Sequence, residues 1–276
     1  MILFCYAWLS EWSNEPVSKT GMVKAIAGSN PASSAIFFAF FVAKLMALIY
    51  NCHMKKILCY GDSNTWGYIS GTDGERYDET IRYPKVLQSL LGDSFEVIEE
   101  GLPSRTCGVD DIHNAIGNKN GSAFFGQAVY THSPLDYVLV MLGTNDMKVE
   151  FDRTAKDCAI DLENKYIIPL NNRLGGKIKQ IPKIIIVSPP IIDKGSWGKY
   201  ENADKKSMQF DEEYKKIAEK YNCNFVSNEG LKCGIDKVHL TKESHKLLAE
   251  KIKDILKKYE KICYWMGKTY WCKLHC

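Results

Sequence analysis

The sequence predicts an α/β protein built on a parallel sheet of about five strands, with helices on both faces. Three observations support this prediction. Five short apolar runs lack the polar alternation of half-exposed strands. Amphipathic stretches separate most of these runs, and alternating strands and helices are typical of a parallel sheet. Polar residues with catalytic potential follow several runs, at the sheet edge where parallel sheets place their active sites.

The five strands and the helices between them are predicted in chain order. The strands are the runs at residues 55–61, 95–101, 136–143, 182–190 and 223–228. The helices are the amphipathic stretches at residues 83–93, 154–176, 203–222 and 241–261. In the last stretch Leu248, Ile252 and Leu256 recur at helical spacing, and Thr241 can cap the first turn.

Composition limits the classes of function. The chain has 276 residues, 45% of them apolar, which is enough for a full core in one domain. Its net charge of +3 is close to balanced, and no long basic run is present, so nucleic acid is not expected as a partner. The ten cysteines include no C-x-x-C pair and no zinc spacing, which indicates reduced thiols in a cytoplasmic protein. No cofactor is expected.

The two ends differ in character from the middle of the chain. Residues 1–53 lack the punctuation of a folded unit and are interpreted as a non-native or disordered extension, because "MKKILCYGDS" from Met54 reads as a protein start. Residues 35–50 are hydrophobic but short for a membrane span and contain Lys44, so a membrane role is not favoured. Export or anchoring by this segment is the alternative. The domain is expected at residues 54–261 and a tail at 262–276.

A serine and a histidine stand out after the predicted strands. Ser63, in "GDSN", follows the first strand, and a serine nucleophile needs a base because its hydroxyl is scarcely ionised at neutral pH. Among the six histidines, His239 in "DKVHLT" is the best candidate, while His245 is expected at the surface or in packing. Asp236 lies three residues before His239 and can orient its ring. A helix cap at Ser63 and a local Asp–His contact are the alternatives.

An acyl-transfer site also needs donors for a developing oxyanion. Gly101 ends the second predicted strand and permits close backbone approach, and Asn145 in "GTND" places an amide after the third strand. A turn glycine and an Asx turn are the alternatives for these two residues.

Together these segments make the sequence similar to the SGNH hydrolases, also called GDSL-type esterases and lipases. The similarity covers about residues 55–260 and rests on "GDSN", "EGLPSRTCG", "GTND" and "DKVH" in the family's order. "GDSNTWGY" and "VIEEGLPSRT" resemble the arylesterase and acyltransferase branch. Two departures are Asn64, where leucine is commoner, and Pro103–Ser104, where serine and glycine are usual in this branch.

The resemblance implies a flavodoxin-like, three-layer α/β/α fold without metal. It implies Ser63 as nucleophile, His239 as base and acid, and Asp236 as the residue that orients His239. It also implies an oxyanion hole made by the backbone N–H groups of Ser63 and Gly101 and the side chain of Asn145.

Four neighbouring residues have expected supporting roles. Asp62 is expected to fix the loop by accepting backbone hydrogen bonds, and Arg105 to brace it rather than contact the leaving group. Trp66 either walls the site or belongs to the core. Lys148 is expected to be a solvated charge at a helix start.

The sequence therefore predicts a serine esterase for small-molecule, short-chain carboxylic esters, acting through an acyl-enzyme that water or another alcohol resolves. A carbohydrate O-acetyl esterase and a non-catalytic flavodoxin-like binding module are the alternatives. The oligomeric state is open, with a homo-oligomer among the alternatives.

Overall fold

The computed structural model describes residues 54–112, 116–196 and 198–273, with side chains up to residue 257. The predicted extension at residues 1–53, with its hydrophobic segment 35–50, lies outside the described residues. No helix in the described ranges combines the length and the hydrophobicity that a membrane-spanning segment requires.

A five-stranded, fully parallel sheet forms the centre of the described domain, as predicted. Its strands are β1 (Lys55–Gly61), β2 (Phe95–Gly101), β3 (Tyr137–Met141), β4 (Lys183–Val187) and β5 (Asn224–Val226). They lie in the order β2-β1-β3-β4-β5, which is the flavodoxin-like order. The strand order reverses between β1 and β3, which is the position at which open α/β sheets bind their ligands.

Helices cover both faces of the sheet. They are α1 (Ser63–Trp66), α2 (Tyr83–Leu91), α3 (Gly121–His132), α4 (Ala155–Leu162), α5 (Ile168–Asn171), α6 (Arg173–Gly176), α7 (Ala203–Ser207), α8 (Phe210–Tyr221) and α9 (Lys242–Lys273). Short 3-10 turns occur at Gly92–Ser94, Asn145–Met147, Val149–Phe151 and Gly198–Tyr200. A π-helical turn, Glu163–Ile167, joins α4 to α5.

Two features of the helices differ from the sequence prediction. The helix expected at residues 154–176 is broken, because Pro169 in α5 cannot donate a backbone hydrogen bond and the chain widens into the π-helical turn before it. Helix α3 was not predicted, since Gly121 and Gly126 lower its helix propensity. Asn120 caps it by accepting the N–H of Ser122 at 3.0 Å.

Helix α9 also runs further than predicted. The helix was expected to end at residue 261, but its backbone continues to Lys273, and the tail expected at residues 262–276 stays a prediction. This stretch contains no proline and a single glycine, Gly267, so nothing in it stops a helix. The predicted cap is present, because the N–H of Ser244 donates to Thr241 Oγ1 at 3.2 Å.

Alternate residues of each central strand face two separate cores. In β1, Leu58 and Tyr60 pack with α3, α4 and α8 on one face, whereas Ile57 and Cys59 pack with α2 and α9 on the other. All four side chains are fully buried. Burial of a large apolar side chain stabilises a fold by about 1.5–3 kcal/mol. The two cores make the domain a three-layer α/β/α sandwich, as predicted.

Candidate active site

The turn between β1 and α1 places Ser63 at the carboxyl end of the central strand. Asp62 caps α1, because its Oδ1 accepts the N–H of Asn64 at 2.9 Å. A side chain at position 61 would meet Thr65 Oγ1 at 1.9 Å, so the tight turn requires Gly61. Ser63 is 4% exposed and is the first residue of α1, where a backbone N–H has no acceptor inside its own helix.

The loop between β5 and α9 brings His239 to Ser63. Its Nε2 lies 2.9 Å from Ser63 Oγ, and its Nδ1 lies 2.7 Å from Asp236 Oδ2. The other carboxylate oxygen of Asp236 accepts the backbone N–H of His239 at 2.9 Å and that of Val238 at 3.0 Å. The structure thus joins the three residues singled out in the sequence into one chain of hydrogen bonds.

The charge of Asp236 determines the protonation of His239. Burial alone raises the pKa of Asp236, but the hydrogen bonds from the His239 ring and from two backbone N–H groups outweigh it, and the pKa lies well below its ordinary value. An ionised carboxylate can only accept hydrogen bonds, so Nδ1 of His239 must carry a proton. In the neutral imidazole, Nε2 is then the acceptor for the Ser63 hydroxyl.

Tyr68 stacks on the His239 ring and was not singled out in the sequence. The two ring centroids lie 4.2 Å apart with an interplanar angle of 21°. The Tyr68 hydroxyl donates to the carbonyl of Thr72 at 2.8 Å and accepts the N–H of Gly74 at 3.0 Å, which fixes the ring. Tyr68 lies only five residues after Ser63, but no sequence spacing indicates a stack with a loop so distant in the chain.

Asn145 begins the 3-10 turn after β3, and its amide is held at both ends. Its Nδ2 donates to the carbonyl of Arg105 at 3.1 Å, and its Oδ1 accepts the hydroxyl of Tyr200 at 2.9 Å. A primary amide has two N–H donors, so one remains for a ligand. Tyr200 comes from the 3-10 turn at Gly198–Tyr200, in a connection where the sequence indicated no function.

Gly101 is the last residue of β2 and lies opposite Gly61 in the register. A side chain at this position would meet the backbone nitrogen of Trp66 at 2.2 Å. The close approach of α1 therefore accounts for a glycine here. A role of Gly101 as an oxyanion donor stays a prediction.

Ser104 follows in a strained conformation, with φ of 68°. This left-handed region favours glycine, which is the usual residue of the resembled branch at this place. Strained backbone of this kind is common at functional sites.

The supporting residues predicted beside the site have clear contacts. Arg105 is buried, donates from Nη1 to the carbonyl of Gly61 at 2.9 Å, and lies with Cζ 4.1 Å from the centre of the Tyr60 ring. Burial raises the pKa of Asp62 to about 6. Trp66 is half-buried, and Cζ of Arg76 lies 5.1 Å from the centre of its ring.

Lys148 differs from its expectation as a solvated charge. It is 4% exposed, and its Nζ lies 3.5 Å from Asp111 Oδ2. A buried lysine needs such a partner because an unpaired buried charge is costly, so the solvated interpretation was wrong. Within the described ranges, no three His, Cys, Asp or Glu side chains converge as ligands of a metal ion.

Comparison with known proteins agrees with this geometry. Residues 59–247 match the GDSL-like lipase/acylhydrolase family, a span that contains every residue of the site described above. The chain belongs to this family. Members of this family hydrolyse carboxylic esters, and the chain is therefore an esterase of the SGNH type.

Two solved structures resemble this GDSL-family esterase along nearly their whole length. An inhibitor-bound aryl esterase of M. smegmatis is 31% identical, with a TM-score of 0.68 over 74% of this chain and 99% of that one. Est24, a carbohydrate acetylesterase from Sinorhizobium meliloti, is 32% identical with the same TM-score and the same coverage. The comparison with curated proteins gave no match.

Proposed function

We propose that this GDSL-family esterase hydrolyses short-chain carboxylic esters through an acyl-enzyme on Ser63. The observation that carries the proposal is the continuous hydrogen-bond chain from Asp236 through His239 to Ser63, with links of 2.7 and 2.9 Å. Such a chain activates a hydroxyl that would otherwise be a weak nucleophile.

The first half of the reaction forms the acyl-enzyme. Ser63 Oγ attacks the acyl carbon and its proton passes to Nε2 of His239, while Asp236 stabilises the resulting imidazolium through Nδ1–H. The tetrahedral intermediate then collapses, the bond between the acyl carbon and the alcohol oxygen breaks, and the alcohol leaves with the proton from Nε2.

The developing oxyanion needs fixed donors during this step. The free N–H of the Asn145 amide and the backbone N–H of Ser63 at the start of α1 are the donors proposed here, with Gly101 as the third donor predicted from the sequence. Because Arg105 and Tyr200 hold the Asn145 amide at both ends, the donor costs little reorganisation when charge develops.

The second half of the reaction releases the acyl group. A water molecule gives its proton to His239 Nε2 and attacks the acyl carbon, after which Ser63 leaves and recovers the proton. An alcohol in place of water would yield a new ester, so acyl transfer uses the same groups. The balance between the two outcomes depends on whether water or alcohol is bound beside His239.

Two solved neighbours support short acyl groups on aryl or sugar alcohols. One is an aryl esterase and the other a carbohydrate acetylesterase, and both are about 30% identical to this chain. A carbohydrate O-acetyl esterase is therefore the second candidate function, and it uses the same mechanism at Ser63.

The test is hydrolysis of p-nitrophenyl acetate, butyrate and octanoate by the full chain, beside Ser63→Ala. We expect rapid turnover of the two short esters and loss of turnover in the variant. Ser89→Ala, an exposed serine on α2, is the matched control and should behave as wild type. Product analysis with added methanol separates hydrolysis from acyl transfer.

The outcome also separates the alternatives. Turnover of acetylated sugars without turnover of aryl esters would favour the carbohydrate esterase. Equal turnover by wild type and Ser63→Ala would refute the nucleophile, and no turnover of any ester would support a binding module.

A further inference from the structure

The side chain of Asn64 contacts the backbone on both sides of His239. Its Oδ1 accepts the N–H of Leu240 at 2.9 Å, and its Nδ2 donates to the carbonyl of Val238 at 3.4 Å. One amide thus holds the residue before and the residue after the histidine. Asn64 is 1% exposed, so water does not compete strongly for these hydrogen bonds.

The same residue is anchored firmly to the nucleophile. Asn64 directly follows Ser63 in α1, and its own backbone N–H donates to Asp62 Oδ1 at 2.9 Å. The amide therefore links the helix of Ser63 to the loop of His239 across 174 residues of sequence.

Besides the hydrogen bond between Ser63 and His239 and the stack of Tyr68 on the His239 ring, Asp236 also links these two segments. The N–H of Asp236 donates to Ser70 Oγ at 3.0 Å, and Asp236 Oδ2 accepts the N–H of Gly71 at 3.4 Å. Inside the loop, the N–H of Gly234 donates to the carbonyl of His239 at 2.8 Å. The Gly234 contact lies within the turn, whereas the Asn64 amide joins the residues on both sides of His239 to the residue that follows Ser63.

We propose that Asn64 is a positioning residue for His239, which acts by holding Nε2 within hydrogen-bond distance of Ser63 Oγ. The proposal rests on the proposed function, in which this hydrogen bond transfers the proton. A leucine at this position fills a similar volume but makes neither hydrogen bond, and it leaves the Leu240 N–H and the Val238 carbonyl in the interior without the amide.

The substitution Asn64→Leu is expected to lower kcat by about 10- to 100-fold, because a displacement of about 1 Å in a reacting group has effects of this size. KM for p-nitrophenyl acetate should change by less than about threefold, since Asn64 acts through His239 rather than on the substrate. Asn228→Ala is the matched control, because Asn228 is also a buried amide that donates to a backbone carbonyl, that of Pro189 at 2.9 Å. Its kcat should stay at the wild-type value.

A double-mutant cycle on the full chain decides the proposal. Asn64→Leu combined with His239→Ala should have the residual rate of His239→Ala alone, because a residue that acts through the base has no effect once the base is gone. A further loss in the double variant of the size seen in the single variant would overturn the proposal, as would an unchanged kcat in Asn64→Leu.

Two further measurements keep the test decisive. If Asn64→Leu does not fold, Asn64→Asp keeps the shape and the acceptor for Leu240 but places a carboxylate oxygen, which cannot donate, opposite the Val238 carbonyl. Its loss of kcat should likewise vanish in the His239→Ala background. A loss that persists there would overturn the proposal. Full activity of His239→Ala itself would instead refute the proposed function, so the two failures are distinguishable.

Discussion

Two histidines six residues apart, His239 and His245, have opposite environments. His239 lies in a half-buried loop and makes hydrogen bonds through both ring nitrogens, to Asp236 and to Ser63. His245 lies in the first turns of α9 and is fully buried. Its Nδ1 accepts the N–H of Tyr83 at 3.3 Å, and its Nε2 has no hydrogen-bond partner in the described part of the chain.

The difference shows that the partners of a histidine decide what it can do. Burial, followed by the charge of His239, lowers the pKa of His245 to about 3, so this ring stays neutral at physiological pH. Without a carboxylate it cannot stabilise an imidazolium. Of the two alternatives expected from the sequence, packing is confirmed for His245 and a surface position is wrong.

The largest expected effect is the contrast between substitutions at the two histidines. His239→Ala should lower kcat for p-nitrophenyl acetate by about 10⁴- to 10⁶-fold, the scale found when a triad member is removed. His245→Gln should change kcat by less than about threefold, because no hydrogen bond in the described part of the chain joins His245 to Ser63 or Asp236. Steady-state kinetics at pH 7.5 measures both values of kcat. Comparable losses in the two variants would contradict the different roles of the two histidines.

Removal of the carboxylate that distinguishes His239 sharpens the same contrast. Asp236→Asn should lower kcat by about 10⁴-fold, because an amide can donate to Nδ1 and so favours the wrong tautomer. The melting temperature serves as the control for folding. A kcat within tenfold of wild type would mean that Asp236 does not determine the tautomer.

The sequence predicted those parts of the fold that depend on local patterns of apolar residues and glycine. Strands β1 and β2 were predicted with their observed ends, because each is an apolar or mixed run that stops at a glycine. Helix α3 was missed, since a cap at Asn120 and packing on the sheet outweigh the weak helix propensity of the sequence. The break of the next predicted helix at Pro169 was missed as well.

In the candidate site, too, some features could be predicted from the sequence and others could not. The proximity of Ser63, Asp236 and His239 could be predicted, because a serine nucleophile needs a base and the base needs an acid nearby. The contacts of Tyr68, Tyr200 and Asn64 could not, because they join residues far apart in sequence and depend on how the loops fold together. The expectation of a solvated Lys148 was wrong for the same reason, since its partner Asp111 comes from another loop.

A residue beside the reacting atoms that does not touch His239 is expected to give an effect between those of the two histidines. Asn145→Ala should keep the fold and lower kcat by about 10²- to 10³-fold, because it removes one of the proposed oxyanion donors. KM should change little. An unchanged rate would remove Asn145 from the mechanism.

The smallest expected effect concerns stability rather than catalysis. Because the pKa of His245 falls from 6.5 to about 3 on folding, the unfolded chain binds a proton that the folded chain does not. The stability that comes from folding with a neutral His245 is fully present above pH 6.5 and is lost as the pH falls toward 3. Between pH 7 and pH 5 this group lowers the free energy of unfolding by about 2 kcal/mol.

Urea unfolding of wild type and His245→Gln at both pH values measures this contribution. The buried carboxyls of Asp62 and Asp146, whose pKa values burial raises to about 6, act in the opposite direction but are present in both proteins. Their effects cancel in the difference. Equal pH dependence in the two proteins would show that His245 is not a buried neutral histidine.

The measurement that tests the central claim most directly is covalent labelling of the full chain with diethyl p-nitrophenyl phosphate, followed by mass spectrometry. Trypsin should release Ser63 in the peptide of residues 57–76, which also contains Ser70, so fragmentation assigns the modified serine. We predict one phosphoryl adduct, on Ser63, formed equally fast in wild type and His245→Gln and at least about 10³-fold more slowly in His239→Ala. An adduct on another residue, or labelling of His239→Ala as fast as wild type, would contradict the claim that His239 activates Ser63.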